Sequence, residues 1–156
     1  MNYWLMKSEP CTFGLSHLQQ APHQTSFWDG VRNYQARNFM RDNMKLGDLA
    51  FFYHSNCQTP GIVAIIEIDK TAYPDATAWD PNSKYYDPKS TLENPRWVGV
   101  DVRLKQAFSN PISLAALRQQ PALDTMLILR RGNRLSITPV TPLEWETVLT
   151  LQTEVL

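Results

Sequence analysis

The stretch Arg96-Trp97-Val98-Gly99-Val100-Asp101-Val102-Arg103-Leu104 reads as a half-buried β-strand. Val98, Val100, Val102 and Leu104 fall on one side of a period-two chain, and Trp97, Gly99, Asp101 and Arg103 on the other. Upstream, Gly61 to Ile68 contains the unbroken run Ile62-Val63-Ala64-Ile65-Ile66, which suits a strand buried on both faces. Asn2 to Lys7, Leu49 to His54 and Leu135 to Val140 read as further strands. No regular strand–helix–strand alternation links them, which argues against a doubly wound parallel sheet. The expected fold is mixed α and β, a small barrel or curled sheet of about five to six strands with short helices packed outside.

The helices are short and their ends are marked. Thr12 to Gln20 predicts one, with Leu15 and Leu18 inward. Asn33 to Asn43 predicts another with two faces: Ala36, Phe39, Met40 and Asn43 toward the core, and Tyr34, Arg37, Asn38 and Arg41 outward. Ser113 to Gln119 and a segment from Pro121 to about Leu129 follow. Thr141-Pro142-Leu143-Glu144 starts the last helix, with proline at the first helical position and a Thr-x-x-Glu capping box. Ala21 to Phe27 reads as polar loop, Arg130 to Arg134 as a turn, and Tyr73 to Pro95 as a long aperiodic loop holding Trp79, Tyr85 and Tyr86.

Composition narrows the function classes. The 156 residues fit one domain, residues 1–156, large enough for a core without disulfides or metal. Formal net charge is zero, so a polyanion site must be a local patch and not a global field. Two cysteines, Cys11 and Cys57, form neither a disulfide framework nor a zinc site, and fit a reducing cytoplasmic compartment. There is no signal-peptide pattern and no apolar run of about 20 residues, so a soluble protein without membrane contact is expected. No cofactor motif is present, and no metal is expected: His54 and Cys57, three apart, have no second pair beside them.

The chemistry concentrates in Trp28-Asp29-Gly30-Val31-Arg32-Asn33-Tyr34-Gln35-Ala36-Arg37-Asn38-Phe39-Met40-Arg41-Asp42. An aromatic ring beside an Asp-Gly turn, followed by an arginine-faced helix, can stack a flat base and hold a phosphate chain. Ser8, Asp29, Asn33, His54 and Ser55 follow strands or begin helices, where their donors and acceptors can converge on a base edge. Each also has a plain structural reading. Trp28 serves equally as a core tryptophan, Asn33 as a helix cap, and Ser8 and Asp29 as turn formers. Trp97 lines a pocket or packs beneath a helix. Lys7, Arg32, Arg37 and Arg41, with a second group at Arg130, Arg131 and Arg134, either contact phosphates or make ordinary surface ion pairs.

Tyr3-Trp4-Leu5-Met6-Lys7-Ser8-Glu9-Pro10, the Trp28 to Asn38 segment and Gly47-Asp48-Leu49-Ala50-Phe51-Phe52-Tyr53-His54-Ser55 together resemble the EVE domain. So do Pro60-Gly61-Ile62-Val63, Ala78-Trp79-Asp80-Pro81, Tyr86-Asp87-Pro88, Pro95-Arg96-Trp97-Val98 and Leu135-Ser136-Ile137-Thr138-Pro139-Val140. The resemblance spans essentially the whole chain. It implies a PUA-like fold and kinship with YTH and ASCH domains. It also implies a pocket for a nucleobase, often a modified one, in DNA or RNA.

By order along the chain, Lys7-Ser8 and Trp28 take the places of the Lys-Ser strand end and the tryptophan of YTH readers, where the tryptophan is one wall of an aromatic cage. The other wall is Trp79, Tyr85 or Tyr86, and Tyr34 and Trp97 join the candidate pocket. Glu9 stands where YTH readers have asparagine, so the identity of their base does not carry over. The leading expectation is a monomeric, non-catalytic reader without a cofactor. The rival is a small enzyme acting on a modified nucleoside, as among ASCH relatives. A small-molecule or protein-interaction module is the third reading.

Overall fold

The structure, a computed structural model, describes residues 1–154. Among them, six strands pair in one sheet: β1 (Tyr3–Ser8), β2 (Thr25–Phe27), β3 (Leu49–His54), β4 (Gly61–Pro74), β5 (Val98–Ser113) and β6 (Ile137–Val140). Their order is β2-β5-β4-β3-β1-β6. β1 and β3 are parallel, and the other neighbours are antiparallel. Register shifts interrupt the β4–β5 ladder at four places. Each bulge adds twist and bend, which is how strands this long curl. The sheet bends like a barrel, but hydrogen bonds do not close it, and β2 and β6 remain its edges.

Side-chain alternation gives each sheet face its own core. Trp4, Met6, Phe52, Ile66, Val100 and Val102 pack on one side with Ala36 and Met40. Leu5, Phe51, Ile65, Phe108 and Ile112 pack on the other with Leu117, Trp145 and Val148. The helices cover both: α1 (Pro10–Phe13), α2 (Leu15–Gln20), α3 (Tyr34–Asn38), α4 (Leu114–Arg118) and α5 (Pro142–Glu154). The capping box at α5 is formed: Thr141 N–H donates to Glu144 Oε1 at 2.9 Å, and Glu144 N–H to Thr141 Oγ1 at 3.2 Å. Among the described residues, no helix is long and apolar enough to cross a membrane.

Several expectations need correction. Ala21 to Phe27 is not all loop, because Thr25–Phe27 pairs with Arg103, Val102 and Asp101 as an edge strand. Three residues are too few to show a period. The helix expected over Thr12 to Gln20 is two pieces, broken at the extended Gly14. Asn43 is exposed and not inward. After Asn38 the helix widens to a π turn, Phe39–Asn43, where Met44 N–H reaches back five residues to Phe39 O. That wider turn rotates Asn43 off the core face. The segment from Pro121 to Leu129 holds only two 3₁₀ turns, Pro121–Leu123 and Leu127–Leu129. β4 runs on to Pro74 and β5 to Ser113, both well past the stretches whose pattern predicted them.

Candidate functional site

β1 and β3 end side by side, with Ser8 in register with His54 and Ser55 N–H donating to Ser8 O at 3.0 Å. The segment after β2 crosses this end of the sheet, tied down by Trp28 N–H donating to Val100 O at 2.8 Å. Between them opens a cavity of about 430 Å³. Phe13, Phe27, Trp28 and Tyr85 give it aromatic walls. Ser8, Thr12, Ser55 and Ser136 add hydroxyls, and Glu9 and Asp29 add carboxylates. Lys7, Arg32, Lys84 and Arg134 supply the cations.

Trp28 has both roles that its sequence context allowed. It is only 5% exposed and meets Phe13 and Phe52 edge-on, with centroids 6.0 and 5.4 Å apart. It nevertheless lines the cavity. Tyr85 is held against the neighbouring turn. Gly30 has φ of +79°, and its N–H donates to the buried Asp75 carboxylate at 2.8 Å.

Arg32 fastens this wall. Its Nε and Nη2 donate to Tyr85 O at 3.0 and 2.8 Å. Nη1 donates to Val31 O and Asp75 Oδ2, and Nη2 also to Thr77 Oγ1. All five N–H groups of this guanidinium are thereby engaged within the protein. Asp75 also accepts from Thr77 N–H and Oγ1–H, so its charge is satisfied where it is buried.

The cavity perturbs two ionisable groups in opposite senses. Burial lowers the Lys7 pKa. The Asp29 pKa is raised, first by burial and then by the neighbouring Asp75 charge. Lys84 Nζ lies 5.0 Å from the Tyr85 ring centroid, at the mouth.

Of the residues singled out from sequence, the cavity brings together Lys7, Ser8, Trp28, Asp29, Arg32, Ser55, Tyr85 and Arg134. The others lie outside its lining. Asn33 caps α3, accepting from Ala36 N–H at 3.0 Å. Tyr34 stacks on Trp97 with centroids 4.9 Å apart, and Trp97 Nε1–H donates to Asp87 at 2.7 Å. His54 turns Nε2 to accept from Leu15 N–H at 3.1 Å. Trp79 is half-buried in the 3₁₀ turn Ala76–Trp79, and Tyr86 is 43% exposed. Arg37 donates to Asn38 Oδ1 and Arg96 O, and Arg41 pairs with Asp42. Arg130 and Arg131 are exposed on the turn that carries Arg134.

Sequence reasoning missed Thr12, Phe13, Phe27, Lys84 and Ser136. Phe27 and Lys84 adjoin Trp28 and Tyr85, so neighbourhood alone offered a signal for them. Phe13 and Ser136 are brought in by the fold.

A curled sheet with flanking helices and an aromatic, cation-rimmed cavity beyond two parallel strand ends defines a PUA-like domain. The EVE domain family model matches residues 2–151, and the chain belongs to that family. Thymocyte nuclear protein 1 of Danio rerio is 46% identical, aligned over 97% of this chain and 72% of its own length. A crystal structure of a Pseudomonas syringae protein is 49% identical with a TM-score of 0.91, covering 96% of this chain and 99% of that one. The human THYN1 protein, solved in complex with 5-methylcytosine-containing DNA, is 44% identical with a TM-score of 0.91. That match covers 97% of this chain and 98% of the human one.

Proposed function

We propose that this chain is a non-catalytic reader of a modified base in a nucleic-acid strand. One observation carries the reading: a single cavity holds the aromatic walls, a few convergent polar groups and a rim of cations. Its volume of about 430 Å³ lies in the range of small-ligand sites, so one base is a suitable occupant. The human relative's complex with 5-methylcytosine-containing DNA supports the same class of ligand. Tyr85 is the second aromatic wall, and the base stacks there. Ser8, Ser55 and Asp29 meet its edge. Lys7, Lys84 and Arg134 meet the phosphates, while Arg32 positions Tyr85. A base taken from a duplex must leave the stack to enter such a pocket.

The test is a titration of paired oligonucleotides, one with 5-methylcytosine and one plain, against wild type and Tyr85→Ala. Loss of the ring should remove the preference for the modified strand and weaken binding of either strand by roughly 1–3 kcal/mol. Equal wild-type affinity for both strands would sink the reading for this modification.

The cavity also gathers Lys7, Glu9 and Asp29, groups able to move protons, and this favours a second reading, an enzyme acting on a modified nucleoside. Incubation with a pool of modified nucleosides, read by mass spectrometry, separates the two. Ligand recovered unchanged supports the reader, and converted ligand supports the enzyme.

A further inference from the structure

The Tyr85 wall continues outward as an alternating row of rings and guanidinium groups. Arg32 Cζ lies 5.5 Å from the Tyr85 centroid and 5.5 Å from that of Trp97. Trp97 stacks on Tyr34 at 4.9 Å with planes 25° apart. Arg37 Cζ then lies 4.7 Å from Tyr34 and 5.9 Å from Trp97. The last two distances place Arg37 at the side of the Tyr34–Trp97 stack. Were it across the outer face of Tyr34, it would be nearly two ring spacings from Trp97. Tyr34 is therefore backed by a buried tryptophan, flanked by a cation, and 51% exposed.

Charge distinguishes Arg37 from its neighbours. Arg32 is paired with Asp75, Arg41 with Asp42 and Arg96 with Asp87. Among the described residues, Arg37 makes no ion pair, and its bonds to Asn38 Oδ1 and Arg96 O leave two N–H groups directed elsewhere. Its pKa is lowered, first by burial and then by Arg41. An exposed ring on a rigid backing beside an uncompensated guanidinium suits a base and its phosphate.

We infer that Tyr34 and Arg37 form a second nucleotide subsite outside the cavity, in which Tyr34 stacks a base flanking the modified one and Arg37 meets its phosphate. This rests on the reader function proposed above and deepens it, since it gives the nucleotide beside the modified one a place on the protein.

The experiment uses the full chain and three probes: 5-methyl-2′-deoxycytidine, a five-nucleotide DNA strand with central 5-methylcytosine, and the same strand with abasic flanks. Tyr34→Ala should weaken binding of the intact strand about tenfold, in line with the loss of one base–aromatic stack. It should leave the nucleoside affinity unchanged. The abasic strand should bind wild type as weakly as the intact strand binds Tyr34→Ala, and the mutation should cost it nothing further. Tyr34→Phe should retain wild-type affinity, and Arg37→Gln should lower the salt dependence of strand binding. If wild type binds the intact and the abasic strand equally well and both better than the nucleoside, or if Tyr34→Ala weakens nucleoside and strand alike, the subsite is overturned while the reader function stands. If wild type binds none of the three probes, both fail.

Discussion

Tyr85 occupies the space above Gly30: a Cβ placed on Gly30 would lie 2.4 Å from the Tyr85 Cζ. The contact makes glycine necessary twice, since Gly30 also has φ of +79°. Gly30→Ala should therefore cost about 1–2 kcal/mol in backbone strain and push Tyr85 from its place. The expected outcome is a fold that persists at 25 °C with a lower Tm, together with loss of preference for the modified strand. Calorimetry and a paired-strand titration check both halves. Unchanged preference in a folded Gly30→Ala protein would remove Tyr85 from the reading surface.

Arg32 and the exposed cations should separate cleanly. Arg32 uses its guanidinium to hold Tyr85 and Asp75, and lysine cannot reproduce that fork. Arg32→Lys should lower stability by about 2 kcal/mol, because the hydrogen bonds of the fork are lost while a charge stays beside Asp75. It should weaken binding without changing the salt slope. Lys84→Ala and Arg134→Ala should instead leave stability nearly unaltered and lower the slope by roughly 0.7–0.9 each. Arg32→Gln removes the charge as well, and a salt slope that falls in that variant would show that Arg32 touches phosphate after all.

What was legible in the sequence follows from where local chemistry decides structure. The Val98–Leu104 alternation, the Asn33 cap and the Thr141–Glu144 box each specify their own neighbourhood, and each is formed. β2 was hidden because Thr25-Ser26-Phe27 becomes a strand only through its pairing with β5. The second half of β5 was hidden because its bulges break the period that identifies a strand. At the site, Lys7-Ser8 and Trp28 stood out by residue type and order. The choice of Tyr85 over Trp79 and Tyr86 required three-dimensional facts, namely the turn at Gly30 and the Arg32 fork. The Arg32, Arg37 and Arg41 face read as one unit in the sequence. It divides in the structure because only Arg32 faces a buried carboxylate, Asp75.

His54 should make the α2 end of the site acid-sensitive. Its Nε2 accepts a hydrogen bond from Leu15 N–H, which requires the neutral ring, and burial lowers its pKa. The unfolded chain therefore takes up this proton more readily than the folded one. Stability present above the unfolded value near 6.5 is lost as pH falls through the lower folded value. His54→Gln keeps an acceptor but cannot titrate. Its Tm should fall less than that of wild type between pH 7 and pH 5. Identical acid dependence in both proteins would show that His54 does not control it.

Asp29 should act in the opposite sense. Its folded pKa is raised, chiefly by burial against the cavity wall and next by the Asp75 charge. A raised carboxyl contributes stability that is present below the unfolded value of about 3.9 and lost as pH rises through the folded value. At pH 7 the ionised group is thus unfavourable where it stands, and Asp29→Asn should raise the Tm there and have little effect at pH 3. The same carboxylate lies in the cavity whose rim is proposed to meet phosphate, so it also opposes binding of a polyanion. Asp29→Asn should strengthen binding of plain and modified strands alike by electrostatic relief. Their ratio should stay unchanged even where the carboxylate accepts from the base's amino group, since cytosine and 5-methylcytosine share that donor. Thermal melts at the two pH values test the first effect, and paired titrations at pH 7 test the second. A mutant with wild-type Tm at pH 7 and unchanged affinity for both strands would leave Asp29 as a turn residue at the cavity rim, with no part in binding.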